Sequence, residues 1–161
     1  MISLLTLKPN GLLLGALCAL LLPAISNAQP LCVQLMNDSG TERSVPVRLG
    51  DTLRLSFRHS IYGSQVEEVF VLRRDGFELS QLRYGEARLV EFYGHENSQH
   101  AAGVWIVTPR PTLLPFLNLN ISSDAAMSLH FGHPYDANQF AIQPGSALRL
   151  TVATCENSAD D

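Results

Sequence analysis

From Leu31 onward, apolar and polar residues alternate with a period of two, the spacing of strands with one buried face. The cleanest case is Thr52 to His59, with Leu53, Leu55 and Phe57 on one side and Arg54, Ser56 and Arg58 on the other. Leu31–Leu35 alternates briefly. Val66–Leu72, Phe77–Tyr84 and Val104–Val107 are further apolar runs of strand length, and Ala87–Tyr93 is read as a strand in preference to a poor helix. Leu117, Leu119 and Ile121 alternate with Asn118, Asn120 and Ser122. Met127, Leu129 and Phe131 repeat the pattern, as do Leu148, Leu150 and Val152. Between these runs lie turn residues: Asn37–Gly40, Gly50-Asp51, the hairpin signal Asp75-Gly76, and Pro144-Gly145. Even spacing of roughly eight to ten short strands predicts an all-β fold, an antiparallel sandwich or partly open barrel.

The first 28 residues do not fit this pattern. Leu12–Leu22 is a continuous apolar run, too short to span a bilayer comfortably, and Ser26-Asn27-Ala28 places small residues where a signal peptidase reads. The expected organisation is a signal peptide over 1–28, one β domain over 29–155 and an acidic tail over 156–161, with no membrane span after cleavage. The destination is the periplasm or the exterior. Cleavage removes Cys18 and leaves Cys32 and Cys155, which in an oxidising compartment are most simply one disulfide. Such a bridge needs α-carbons within about 7 Å, so the first and last strands should be neighbours. Charge excludes one partner class. The 15 acidic residues outnumber the 11 basic ones, and the arginines are scattered. Nucleic-acid binding would need a clustered basic face.

Chemistry concentrates in His59-Ser60-Ile61-Tyr62-Gly63-Ser64-Gln65-Val66-Glu67-Glu68-Val69-Phe70. With Gly63-Ser64 as the centre of a tight II′ turn, or in a four-residue loop of the same register, His59 falls opposite Glu68, Ser60 opposite Glu67, Phe57 opposite Phe70 and Leu55 opposite Leu72. His59 and Glu68 then share the inner face and Ser60 and Glu67 the outer one, with Tyr62 at the turn. Neighbouring strand residues point to opposite faces, so Ser60 and His59 do not form a nucleophile and base. A histidine–carboxylate pair at the end of an apolar ladder can close a core, contact a ligand or partner, or serve as acid–base or metal machinery. The candidate binding residues are His59, Ser60, Tyr62, Glu67 and Glu68. Trp105, Phe92, Tyr93 and Tyr84 could line a pocket or pack a core. His95, Glu96 and His100 share a polar loop at spacing too loose for a metal site, and His130 and His133 read as surface or turn residues. No phosphate loop or nucleophile elbow is present. No metal and no cofactor is expected.

The stretch from Arg58 to Phe70 resembles the HS-(V/I)-Y…VEExF signature of a family of small exported bacterial proteins of unknown function. Glu91-Phe92-Tyr93-Gly94 is similar to that family's later acidic-aromatic segment, and the likeness runs roughly from Leu49 to Cys155. Some members are encoded beside TAXI-type TRAP transporters, which use a periplasmic solute-binding protein. The resemblance implies an extracytoplasmic accessory role with a transporter component or small solute as partner, and no enzyme activity. Two alternatives stay open: a metal-dependent or acid–base enzyme using His59 and Glu68, and a secreted structural or inhibitor-like domain. The leader gives the first prediction. Intact-mass analysis of the exported protein should find Gln29 as its first residue; a chain retaining Met1–Ala28 would refute cleavage.

Overall fold

The computed structural model describes residues 30–40, 42–122, 126–132 and 138–155. The leader 1–28, the tail 156–161 and His133 lie outside them. The described elements are β1 Leu31–Asn37, β2 Glu42–Val47, β3 Thr52–Arg58, β4 Gln65–Arg73, β5 Gly76–Tyr84, α1 Ala87–Phe92, β6 Gln99–Ala101, β7 Val104–Val107, β8 Leu113–Leu114, β9 Phe116–Asn120, β10 Met127–Gly132, β11 Asn138–Ile142 and β12 Ala147–Thr154.

They form two antiparallel sheets. One has four strands in the order β2-β1-β12-β9; the other has eight, ordered β11-β10-β3-β4-β5-β7-β6, with β8 paired to β5. This is the expected all-β sandwich. Strands β1 and β12 are hydrogen-bonded neighbours, and the Cys32 and Cys155 sulfurs lie at disulfide distance with α-carbons 5.0 Å apart. The Cys155 amide donates to the Pro30 carbonyl at 2.8 Å, carrying the pairing past the strand ends. No helix among the described residues is long and apolar enough to cross a membrane.

The core has two parts. Between the sheets lie Leu31, Val33, Leu35, Val45, Leu117 and Leu150 of the smaller one, against Leu53, Leu55, Phe70, Leu72, Phe77, Leu129 and Phe131 of the larger. A second cluster gathers Val66, Tyr84 and Val107 of the larger sheet under Leu89 and Val90 of α1. Helix α1 therefore covers apolar sheet surface in a second cluster, apart from the core between the two sheets.

Two expectations are corrected, and one strand is found where none was expected. Ala87–Tyr93 is not a strand: Leu89 and Val90 are adjacent, and Tyr93 follows at helical spacing, so one helical face carries what an alternating strand would split. β2 was hidden by Pro46, which an edge strand tolerates because its amide need not pair. Gln99–Ala101, placed in a polar loop, instead pairs with β7.

The hairpin between β4 and β5 turns through Arg74 and Asp75, and Gly76 opens β5 rather than occupying the turn. Gly76 has φ +143, and a Cβ there would come 2.1 Å from the Leu114 carbonyl oxygen of the strand alongside. Gly76→Ala therefore forces β5 and β8 apart. It should lower the unfolding free energy by about 2–3 kcal/mol in urea titrations, and an unchanged midpoint would show that the close approach is not retained in solution.

Candidate functional site

The sequence places its chemistry at the β3–β4 connection, and the structure redistributes it. β3 ends at Arg58 and β4 begins at Gln65, paired with each other, so His59–Ser64 forms a six-residue loop instead of a tight turn. The loop is closed from inside. The His59 amide donates to the Ser64 carbonyl at 2.9 Å, the Gly63 amide to the His59 carbonyl at 2.7 Å, and Arg58 Nε to the Gly63 carbonyl at 2.9 Å. Gly63, at φ +65, supplies the left-handed residue this path requires.

The longer loop shifts the register by four residues. Leu55 lies opposite Glu68, Ser56 opposite Glu67 and Leu53 opposite Phe70. The expected pairs His59–Glu68, Ser60–Glu67, Phe57–Phe70 and Leu55–Leu72 are therefore absent. An even shift leaves every side chain on its own face, which is why alternation could not reveal it. The alternation argument separating Ser60 from His59 also falls, because both are loop residues. Burial separates them: His59 is 7 % exposed and Ser60 lies at the surface.

His59 is the centre of the loop. The Ile61 and Tyr62 amides point at its Nδ1, at 3.3 and 3.4 Å. Two donors facing Nδ1 make it the acceptor and leave the proton on Nε2. Tyr62 stacks on the ring at 5.3 Å, and Phe92 and Tyr93 meet it edge-on at 5.1 and 5.8 Å. Those last two come from the end of α1, which is anchored to the same loop. Glu86, just before the helix, accepts from the Ser64 hydroxyl and from Arg88, whose guanidinium lies 5.1 Å over the Tyr62 ring. The Ser64 bond first, then Arg88, holds the Glu86 carboxyl below its ordinary range. Phe92 and Tyr93 remain 50 % and 44 % exposed, and Ile61 beside them is still more open.

His59 and Tyr93 of this group line an open cleft of about 670 Å³ together with Arg58 and Ser60, with Phe57 and its strand neighbour Met127, and with Ile121. The cleft offers the Arg58 guanidinium, the Asn120 amide, hydroxyls and an imidazole beside apolar walls, a composition suited to an amphipathic small molecule or peptide segment.

Glu68 belongs to a different place. On the inner face of β4 it stands between Phe70 of the main core and Val66 of the helix-covered cluster, flanked by Leu55 and Leu82. It has no hydrogen-bond partner among the described residues, and burial pushes its carboxyl above the ordinary 4.5. Its charge is felt by two phenols. Tyr84 is pushed up to about 12 by burial, then by Tyr93 and Glu68, and Tyr93 is raised by burial and then by Glu68. The Tyr84 hydroxyl lies 2.8 Å from His95 Nε2, to which the protonated phenol can donate. Glu67 lies on the outer face, 3.4 Å from both Ser56 Oγ and Arg83 Nη1.

The five candidates thus separate: His59 and Ser60 line the cleft, Tyr62 stacks on His59 without lining it, Glu68 stands between the cores, and Glu67 lies on the far face. The part played by Phe92 and Tyr93 was visible only as a pair of aromatics. The bond between Tyr84 and His95 and the Ser64–Glu86–Arg88 anchor had no local signal, since each joins separate elements. Among the described residues no three His, Cys, Asp or Glu side chains are grouped to hold a metal ion. No family model matches the chain, and no curated protein or solved structure is similar to it.

A buried carboxyl with a raised value favours the folded state only while protonated. Its contribution is full below 4.5 and is lost as pH rises through the folded-state value. Glu68→Gln stays neutral throughout. The variant should be more stable than the parent at neutral pH, with the gap closing as pH falls toward 4.5. Urea midpoints across that range check this, and a gap that widens on acidification would contradict the burial of Glu68.

Proposed function

We propose that the chain is an exported, non-enzymatic binding domain that receives a small amphipathic solute, or an apolar segment of a transporter component, in the cleft beside His59. One observation carries the reading. A histidine fixed by its own loop in the Nε2–H form is ringed by Tyr62, Phe92 and Tyr93 at the edge of an open, mixed-polarity cleft. A fixed tautomer presents one donor of defined direction, and the half-exposed Tyr93 ring supplies contact area at low entropic cost. The leader and the cysteine pair support export. The observed register sets Glu68 opposite Leu55 and not opposite His59, so the reading rests on the cleft and its aromatic surround and not on a cross-strand histidine–carboxylate pair.

Differential scanning fluorimetry against separate panels of amino acids, organic acids, sugars and aromatic solutes tests this. A solute that binds should raise the melting temperature by roughly 5–10 °C at about a hundredfold excess over its Kd. The shift should be lost in Tyr93→Ala, whose half-exposed ring can be removed without opening the core. A shift that survives in Tyr93→Ala, or no shift across all panels together with no periplasmic protein captured by the parent and released by that variant, would overturn the proposal.

A further inference from the structure

The outer face of the eight-stranded sheet holds a separate feature. Leu53, Leu55, Leu82 and Tyr84 turn inward to the two cores, so Arg54 and Arg83 on alternate positions turn outward, as does Glu67 between them. These three side chains line one pocket of about 230 Å³ together with Gln65, and Ala102 and Val104 of the β6–β7 hairpin form its rim.

The charges in this pocket are incompletely matched. Arg83 reaches Glu67 only at 3.4 Å, longer than a good charge-assisted bond of about 2.8 Å. Its Nε is buried and has no acceptor. A buried donor left without a partner is unfavourable and is rare in folded chains. Arg54 has no hydrogen bond or ion pair among the described residues, and its neighbour across the strand pair with β10 is His130, whose Nε2 is engaged by Ser128 Oγ at 3.2 Å. Two guanidinium groups against one carboxylate leave a single uncompensated positive charge.

We infer that this pocket binds a small organic monocarboxylate between Arg54 and Arg83. The Arg83 side chain is 33 % exposed, so a modest rotation away from Glu67 turns Nε–H and one Nη–H toward the pocket. That fork matches the two oxygens of a carboxylate and supplies the acceptor that Nε lacks. One net positive charge suits a monoanion better than a sulfate or phosphate dianion. The site lies on the face turned away from the cores and does not depend on the His59 cleft.

The ¹⁵N–¹H signals of the arginine Nε–H groups read this directly. Titration with acetate should move the Arg83 Nε–H resonance in a saturable way, while chloride at equal ionic strength should not. Arg54→Gln should weaken acetate binding by roughly tenfold or more, and Glu67→Gln, which removes the competing carboxylate, should tighten it by about threefold. The opposite signs separate a binding site from a structural pair, since loss of folding cannot tighten binding. Acetate and chloride acting alike, full affinity in Arg54→Gln, or weaker binding in Glu67→Gln would each overturn the assignment. Tighter binding of sulfate than of acetate would overturn the monoanion match.

Discussion

An eight-stranded sheet cannot be covered by a four-stranded one, and much of this molecule follows from that mismatch. Apolar sheet surface has to be removed from water, at roughly 25 cal/mol for each Å². The smaller sheet covers Leu53, Leu55, Phe70, Leu72, Leu129 and Phe131. The remaining inward surface at Val66, Tyr84 and Val107 is taken by the short helix α1 through Leu89 and Val90. A helix of six residues has little stability of its own, so α1 exists because of this packing and because Glu86 ties its start to Ser64. Glu68 falls between the two covers, which explains its partial burial and its lack of a hydrogen-bond partner among the described residues.

The same helix makes the cleft. By seating Leu89 and Val90, it delivers Phe92 and Tyr93 to the His59 ring, with Tyr62 arriving from the loop itself. The hydrogen bonds among Ser64, Glu86 and Arg88 tie the loop to the start of the helix. A ligand contacting Tyr93 would therefore also sense the position of His59, through contacts that are packed on both sides. The cleft also takes in Ile121, just past the end of β9 in the smaller sheet, while Phe57 and Met127 are paired neighbours in the larger one, so the site draws on both layers of the sandwich.

The outer face of the large sheet has a different logic. It is polar by alternation, yet most of its central side chains, Arg54, Glu67, Arg83 and His130 among them, are only partly exposed. Partial burial raises the consequence of each unmatched donor there, and Arg83 Nε is where the matching fails.

By itself, the sequence determined which side of nearly every strand is buried, because a period of two needs no knowledge of the partner strand. It also indicated the pairing of Cys32 with Cys155 and hence the adjacency of the first and last strands. It could not determine the β3–β4 register. Registers four residues apart bury the same faces, and the choice lay with the six-residue loop, whose stability comes from amides bonded to His59 and from Ser64 bonded across to Glu86. Nor could it tell helix from strand at Ala87–Phe92, where an uncovered stretch of sheet decided. Only the tertiary structure separated His59, Glu67 and Glu68, neighbours in sequence, into a cleft, an outer face and the gap between two cores. Local patterning reports which way a side chain points, whereas the distance between two side chains on different elements is set by every element packed between them.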